Sequence, residues 1–233
     1  LNEGIAVARG RYIARQDADD FSLPERLQKQ FDFMERHSQV AVLGTGRRIL
    51  SSSGPIKSGR MPMASPSFSD MLKSNRIVGA SAMIRKKRLD EVGGYDDFFR
   101  QADDYELWLR ITKKYSVANL PEALYVVRRN QDSLTRSSPG MLTLYFLLAR
   151  NRVIGAVDDE LFAQIKKDGI ESYYNQLSKE DKIFYHQRVA KRCMNYDRNA
   201  DSLKNYRHLI KLQGVSFRVV ANMLRLRLRL FFQ

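Results

Sequence analysis

The sequence predicts a mixed α/β domain over residues 1–137, followed by an all-helical region over residues 138–233. Two observations carry this. Short strand-length runs alternate with helix-period segments as far as Arg129. Beyond Pro139 the strand pattern stops and only helical periodicity remains. Hydrophobic residues make up 43% of the 233 and aromatics 10%, which at this length supports a sizeable core.

Leu1–Gly10 reads as the middle of an element, and the chain opens on Leu rather than Met, so a preceding segment is expected. Arg11–Gln16 predicts a short strand with the acidic run Asp17–Asp20 at its end. Ser22 and Glu25 have the spacing of a capping box, with Pro24 in the first turn. They predict a helix from Pro24 to His37 with Leu27, Phe31 and Met34 on one face. Val40–Leu50 predicts a strand bent at Gly44 or Gly46, and the Ser-, Gly- and Pro-rich Ser51–Ser67 an exposed loop. A short helix near Ser69–Ser74, a strand over Ala80–Arg85 and a helix over Lys87–Val92 come next, stopped by Gly93-Gly94. Asp103–Lys114 is amphipathic, with Leu107, Trp108 and Ile111 inward. Val117–Leu120 and Ala123–Arg129 predict two strands separated by Pro121. Five helices are then expected: Met141–Arg152, Asp159–Leu177, Lys179–Cys193, Ala200–Leu212 and Val215–Phe231.

Charge and composition narrow the function. The formal net charge is +14, which points to nucleic acid, anionic lipid or phosphorylated ligands. No helix-turn-helix signature, zinc-finger spacing or RNP motif accompanies it, so nucleic acid is not expected as a partner. Cys193 is the single cysteine; it can form neither an internal disulfide nor a thiolate metal site, which points to a reducing, cytoplasmic setting. The longest apolar run, Met141–Ala149, is far short of the roughly 20 residues that span a bilayer. His37, His186 and His208 have no metal-site spacing and read as structural, and Trp108 reads as core.

Asp17, Asp19 and Asp20 place three carboxylates within four positions at a strand end, where open α/β sheets bind ligands. Mutual repulsion asks for a cation, and hard oxygens suit Mg²⁺ or Mn²⁺. Equally, such a run can be an acidic loop favoured by the dipole of the next helix. An EF-hand is excluded, because its sixth and twelfth positions would be Ser22 and Gln28.

Two blocks decide between these readings. Gly10-Arg11-Tyr12-Ile13-Ala14-Arg15-Gln16-Asp17-Ala18-Asp19-Asp20, followed by Pro24-Glu25-Arg26-Leu27, resembles the pattern G-x-Y-I-x-x-x-D-A-D-D … P-x-R-L of family 2 glycosyltransferases. Leu89-Asp90-Glu91-Val92-Gly93-Gly94-Tyr95-Asp96, followed by Asp103-Asp104-Tyr105-Glu106-Leu107-Trp108-Leu109-Arg110, resembles that family's second block. The resemblance covers residues 1–137 and implies a GT-A-like mixed sheet flanked by helices, here without the Rossmann-like nucleotide-binding strands that precede it in the family. The 233-residue chain is accordingly expected to bind donor weakly and the complete protein to be active. The resemblance further implies transfer of a sugar from a nucleotide-diphosphate sugar to a glycan or lipid-linked acceptor, with inversion. Asp20 would be the direct ligand of Mn²⁺ or Mg²⁺, Asp19 would contact ribose or the metal shell, and Asp17 would support them. Asp104 would be the base that deprotonates the acceptor. Asp103 stands where the family usually has Glu, with shorter reach toward the acceptor. Arg128 or Arg129, from the segment Arg128–Thr135, would help neutralise the diphosphate; Asn130 stands where His is common. Gly79-Ala80-Ser81 replaces the His and Pro often found there, which implies a different acceptor pocket.

The C-terminal tail is separate from these motifs. After Asp201 no acidic residue occurs, while Leu224–Leu230 alternates leucine and arginine. As strand or as helix this predicts docking on an anionic membrane surface, on the inner face of the cell membrane. A catalytically silent, scaffold-like relative is the alternative reading; the retained Asp17, Asp19, Asp20 and Asp104 argue against it.

Overall fold

The structure, a computed structural model, describes residues 1–51, 56–59, 61–129 and 138–231. The chain forms two compact units, Leu1–Asn130 and Gln131–Gln233. The first holds helices α1 (Asn2–Val7), α2 (Arg26–Arg36), α3 (Phe68–Lys73), α4 (Lys86–Val92) and α5 (Asp103–Thr112). Its strands are β1 (Tyr12–Ala14), β2 (Phe21–Ser22), β3 (Val40–Ser51), β4 (Lys57–Ser58), β5 (Met83–Arg85) and β6 (Ser116–Arg129). They form one mixed sheet in the order β1-β5-β3-β6-β2, with β4 on β3. The β3–β6 pair is parallel and all others are antiparallel. A mixed sheet flanked by helices, ahead of a helical region, is the architecture that the sequence predicts.

Three local expectations for this unit need correction. Pro121 does not divide β6. Thr45 pairs with Leu120 and Gly46 with Ala123, so Pro121 and Glu122 bulge out and the missing proline N–H leaves no gap in the ladder. Gly46 makes the bulge possible, since a Cβ there would meet Ala123 Cα and Glu122 O at 3.1 Å. Ser22 does not cap α2; it lies in β2, where its hydroxyl accepts from the Arg26 guanidinium and donates to Gln16. The inner face of α2 is Arg26, Gln30 and Met34, whereas Leu27 and Phe31 are exposed. Gln30 reaches between strands, its amide donating to Leu43 O and Ser81 O at 2.7 and 2.9 Å.

The two motif blocks are braced locally. Gly93 and Gly94 take φ of 85° and 73°, the left-handed region that favours glycine, and end α4. Arg110 clamps this turn, donating to Val92 O and Gly94 O while Glu106 holds it bidentately. The Asn2 carboxamide binds Tyr95 at two points, Nδ2 donating to its carbonyl at 2.8 Å and Oδ1 accepting from its N–H at 3.0 Å. Trp108 is fully buried, as expected of core.

The second unit is helical among the described residues: α6 (Pro139–Val153), α7 (Asp159–Asp168), α8 (Tyr173–Gln176), α9 (Lys179–Asn195), α10 (Asn199–Gln213) and α11 (Phe217–Phe231). The single helix expected over Asp159–Leu177 is broken at Gly169, whose φ of 91° no α-helix accommodates. Ala190, Tyr206, Leu209, Val219 and Leu226 form the core shared by α9, α10 and α11.

Candidate active site

The loop Arg15–Asp20 joins β1, at one edge of the sheet, to β2 at the other. Its shape is imposed from both sides. Underneath lies Arg26, 1% exposed, donating to Arg15 O at 2.6 Å, Gln16 Oε1 at 3.0 Å, Ser22 Oγ at 2.6 Å and Gln30 Oε1 at 3.0 Å. From β6, the Tyr125 hydroxyl accepts the Asp17 N–H at 3.1 Å and the Gln16 amide at 3.2 Å. The loop therefore presents its carboxylates in a fixed frame although it has no regular structure of its own.

Asp20 Oδ1 accepts the backbone N–H of Arg128 at 2.8 Å. Burial raises the Asp20 pKa, the neighbouring Asp19 and Asp17 charges add to the rise, and the Arg128 N–H and Tyr125 hydroxyl oppose it. Arg128 thus serves Asp20 through its main chain, while its guanidinium lies 5.7 Å from the Phe21 ring centroid. The Arg129 side chain and Asn130–Thr135 lie outside the described residues.

The second set of carboxylates opens α5. Asp104 Oδ2 accepts from Asn75 Nδ2 at 3.1 Å, and Oδ1 from the Tyr105 N–H at 2.6 Å. Gly79 lies against it so closely that a Cβ there would be 2.4 Å from Asp104 Oδ2. Burial first, and the adjacent Asp103 charge second, push the Asp104 pKa up to about 6, against the pull of Arg15, the Tyr105 N–H and Asn75. Neither Asp103 nor Asp104 caps α5 by a side-chain bond, although both lie where its dipole favours negative charge.

Arg15 unites the two sets. Its Nε bonds Asp17 Oδ1 at 3.4 Å and its Nη1 bonds Asp103 Oδ2 at 3.2 Å. Burial alone would lower the Arg15 pKa, but Asp103, Tyr95, Asp104 and Asp17 outweigh it and leave the guanidinium firmly charged. Residues far apart in sequence therefore share one electrostatic site. Asp17 and Asp103 are engaged by Arg15, and burial raises the pKa of Asp20 and of Asp104.

The family model described as Glycosyl transferase family 2 matches residues 1–93. Those residues are therefore similar to glycosyl transferase family 2. The matched segment holds the acidic loop and ends at the Gly93 turn. Among curated relatives that this chain is similar to, EpsE of Bacillus subtilis (strain 168), a glycosyltransferase by name, is 36% identical over 141 residues, covering 59% of this chain and 50% of EpsE. The amylovoran biosynthesis glycosyltransferase AmsE of Erwinia amylovora is 31% identical over 138 residues, covering 58% of this chain and 52% of AmsE. The O-antigen biosynthesis glycosyltransferase WbnJ of Escherichia coli is 31% identical over 142 residues, covering 59% of this chain and 55% of WbnJ. The chain thus spans about half the length of the curated relatives it matches.

Proposed function

We propose that the full-length protein moves a sugar from a nucleotide-diphosphate sugar to a glycan or lipid-linked acceptor, with inversion, in the making of a surface polysaccharide. The observation that carries this reading is the double contact of Arg15 with Asp17 and Asp103, which puts the acidic loop and the α5 carboxylates in one site. The relatives' names, in amylovoran and O-antigen biosynthesis, point the same way.

In this reading Asp104 takes the proton of the acceptor hydroxyl as it attacks the anomeric carbon. A carboxylate whose pKa is raised to about 6 is a stronger base than an ordinary one and is still mostly ionised at neutral pH. Displacement in one step assisted by a single base inverts the anomeric configuration, whereas retention would need a second carboxylate as nucleophile. Asp103 positions Arg15 rather than touching the acceptor, and Asp17 does the same from the loop.

The acidic loop fits a divalent ion chemically. Its donors are hard oxygens, and burial and like charge already raise the Asp20 pKa, a cost that a cation would relieve. Among the described residues no three His, Cys, Asp or Glu side chains converge as a metal cage. Mg²⁺-type ions are commonly held by one or two carboxylates together with substrate phosphates. Asp20 would be the direct ligand, with Asp19 and Asp17 in support, and Arg128 or Arg129 would face the diphosphate. Bound Mn²⁺ or Mg²⁺ would supply Lewis-acid stabilisation of the departing diphosphate.

The test is calorimetric binding of UDP, GDP and dTDP to the full-length protein with and without Mn²⁺. One nucleotide is expected to bind only with metal, and Asp20→Ala to weaken it by at least about tenfold. Absence of metal-dependent binding to any of the three would sink the reading.

The C-terminal helix supports a peripheral membrane location on the same terms. Among the described residues no helix is long and apolar enough to cross a membrane. Yet α11 exposes Phe217 at 89% and Leu224 at 55%, close to Arg218, Arg225 and Arg227. We infer that this face rests on an anionic bilayer. The protein is expected to sediment with vesicles containing phosphatidylglycerol, less so at high salt, and the double variant Phe217→Glu, Leu224→Glu to stay in the supernatant. Equal binding to neutral phosphatidylcholine vesicles would rule the reading out.

A further inference from the structure

The helical unit contains a cavity of about 380 Å³, at the small end of ligand-sized pockets. Four rings stand around it. Tyr174 and Tyr185 meet edge-on at 5.2 Å, Tyr185 and His186 at 5.1 Å, and His186 stacks on His208 at 4.8 Å with 4° between planes.

His186 is fully committed. Its Nδ1 lies 2.8 Å from Asn205 Oδ1 and its Nε2 lies 2.8 Å from the Tyr174 hydroxyl. The Asn205 amide nitrogen donates to Asp201 O, so its oxygen is an acceptor and the His186 proton sits on Nδ1. Nε2 then accepts from Tyr174. Burial, with the help of His208, lowers the His186 pKa against the Asn205 bond, in keeping with a neutral ring.

Three other polar groups on the cavity wall have no such commitment. Among the described residues no hydrogen bond or ion pair engages the Lys204 ammonium, the Tyr185 hydroxyl or the His208 ring nitrogens. The Tyr185 hydroxyl lies against the bare Gly140, where a Cβ would come within 2.7 Å of it. Arg198 and Asp201 neutralise each other at 2.7 Å, so Lys204 leaves the wall with a net positive charge. Aromatic rings, unspent donors and one surplus cation together describe the complement of a compact polar ring bearing a negative charge.

We propose that this cavity binds an anionic monosaccharide, a pyranose bearing a carboxylate or a phosphate. The ring packs on the Tyr174 and Tyr185 side, Lys204 pairs with the anion, and the Tyr185 hydroxyl and His208 bond the sugar hydroxyls. Every wall residue belongs to the second unit, and the test reads binding without turnover. The site therefore stands or fails independently of the transfer reaction.

Calorimetry on the full chain with glucuronate, glucose 1-phosphate, glucose and inorganic phosphate tests it, the first two separating carboxylate from phosphate. At least one anionic sugar is expected to bind, and glucose and inorganic phosphate each to bind roughly tenfold more weakly. Lys204→Met is expected to reduce that affinity roughly tenfold and Tyr185→Phe several-fold. Lys204 is exposed, so unfolding temperature should not change in its variant and serves as the folding control. Binding of neither anionic sugar, or binding that both substitutions leave intact, overturns the proposal. So does inorganic phosphate binding as tightly as glucose 1-phosphate, which would reduce the cavity to an anion site.

Discussion

Asp104→Asn is expected to lower kcat of the full-length protein by about 10²–10⁴-fold, the usual contribution of a general base, with donor binding retained. The same carboxyl should shape the pH profile. Its pKa is about 6, so kcat/KM is expected to fall about tenfold per pH unit below that value. Stability should move in the opposite sense. The unfolded carboxyl titrates near 3.8, so between there and about 6 the folded chain holds the proton more tightly than the unfolded chain does. Stability therefore declines as pH rises through that window, and Asp104→Asn removes the part of the decline that Asp104 contributes. At pH 8 the variant should melt no lower than wild type while turning over far less. Gly79→Ala approaches the same atom from outside, because its Cβ would stand 2.4 Å from Asp104 Oδ2. A displacement of about 1 Å is worth on the order of 10²-fold in rate. Wild-type turnover in both variants would remove Asp104 from the chemistry.

Arg26→Met should be the most destabilising substitution near the site. The guanidinium is 1% exposed and donates to four oxygens, and methionine replaces much of its volume but none of its donors. Each acceptor left unpaired inside costs about 1–3 kcal/mol. Even with partial rescue by water, a loss of at least about 3 kcal/mol is expected, roughly 6–12 °C in Tm. Partial relief comes from removing a buried charge, since burial lowers the Arg26 pKa against the favourable Tyr125 dipole. Thermal and urea unfolding of the variant measure this directly. A change within about 1 kcal/mol would mean that the acidic loop does not depend on Arg26.

Much of the fold was legible because it rests on local rules. The period of α5, the glycine stop after α4 and the loss of strand pattern beyond Pro139 all reflect short-range chemistry. What escaped prediction rests on partners distant in sequence. Ser22 has the spacing of a cap, yet Arg26 and Gln16 compete for its hydroxyl. Pro121 reads as a strand break until Gly46 supplies the clearance for a bulge. Leu27 and Phe31 look like a buried face, but Arg26 and Gln30 lie inward because the loop and strands above need donors. In the site, the aspartates stood out as a cluster, whereas Arg15, Asn75, Gly79 and Tyr125 did not. Arg15 sits inside a strand-like run and Tyr125 inside an alternating one, and neither pattern tells which side chain turns toward carboxylates. Arg15 beside three nearby acids was the one available signal.

The two-point contact between Asn2 and Tyr95 carries a further consequence. A carboxamide offers one donor and one acceptor in a plane, which is also what a peptide group offers. Asn2 therefore stands in for a neighbouring strand, and Tyr95, which lies in no strand, is held as though it were paired in a ladder. Aspartate in its place would set an oxygen against the Tyr95 carbonyl, and serine could not span both atoms. The need at position 2 is for a mimic of main chain, not for polarity as such. Since the Tyr95 ring lies 5.9 Å from the Arg15 guanidinium, this borrowed rung helps hold the residue on which both sets of carboxylates converge.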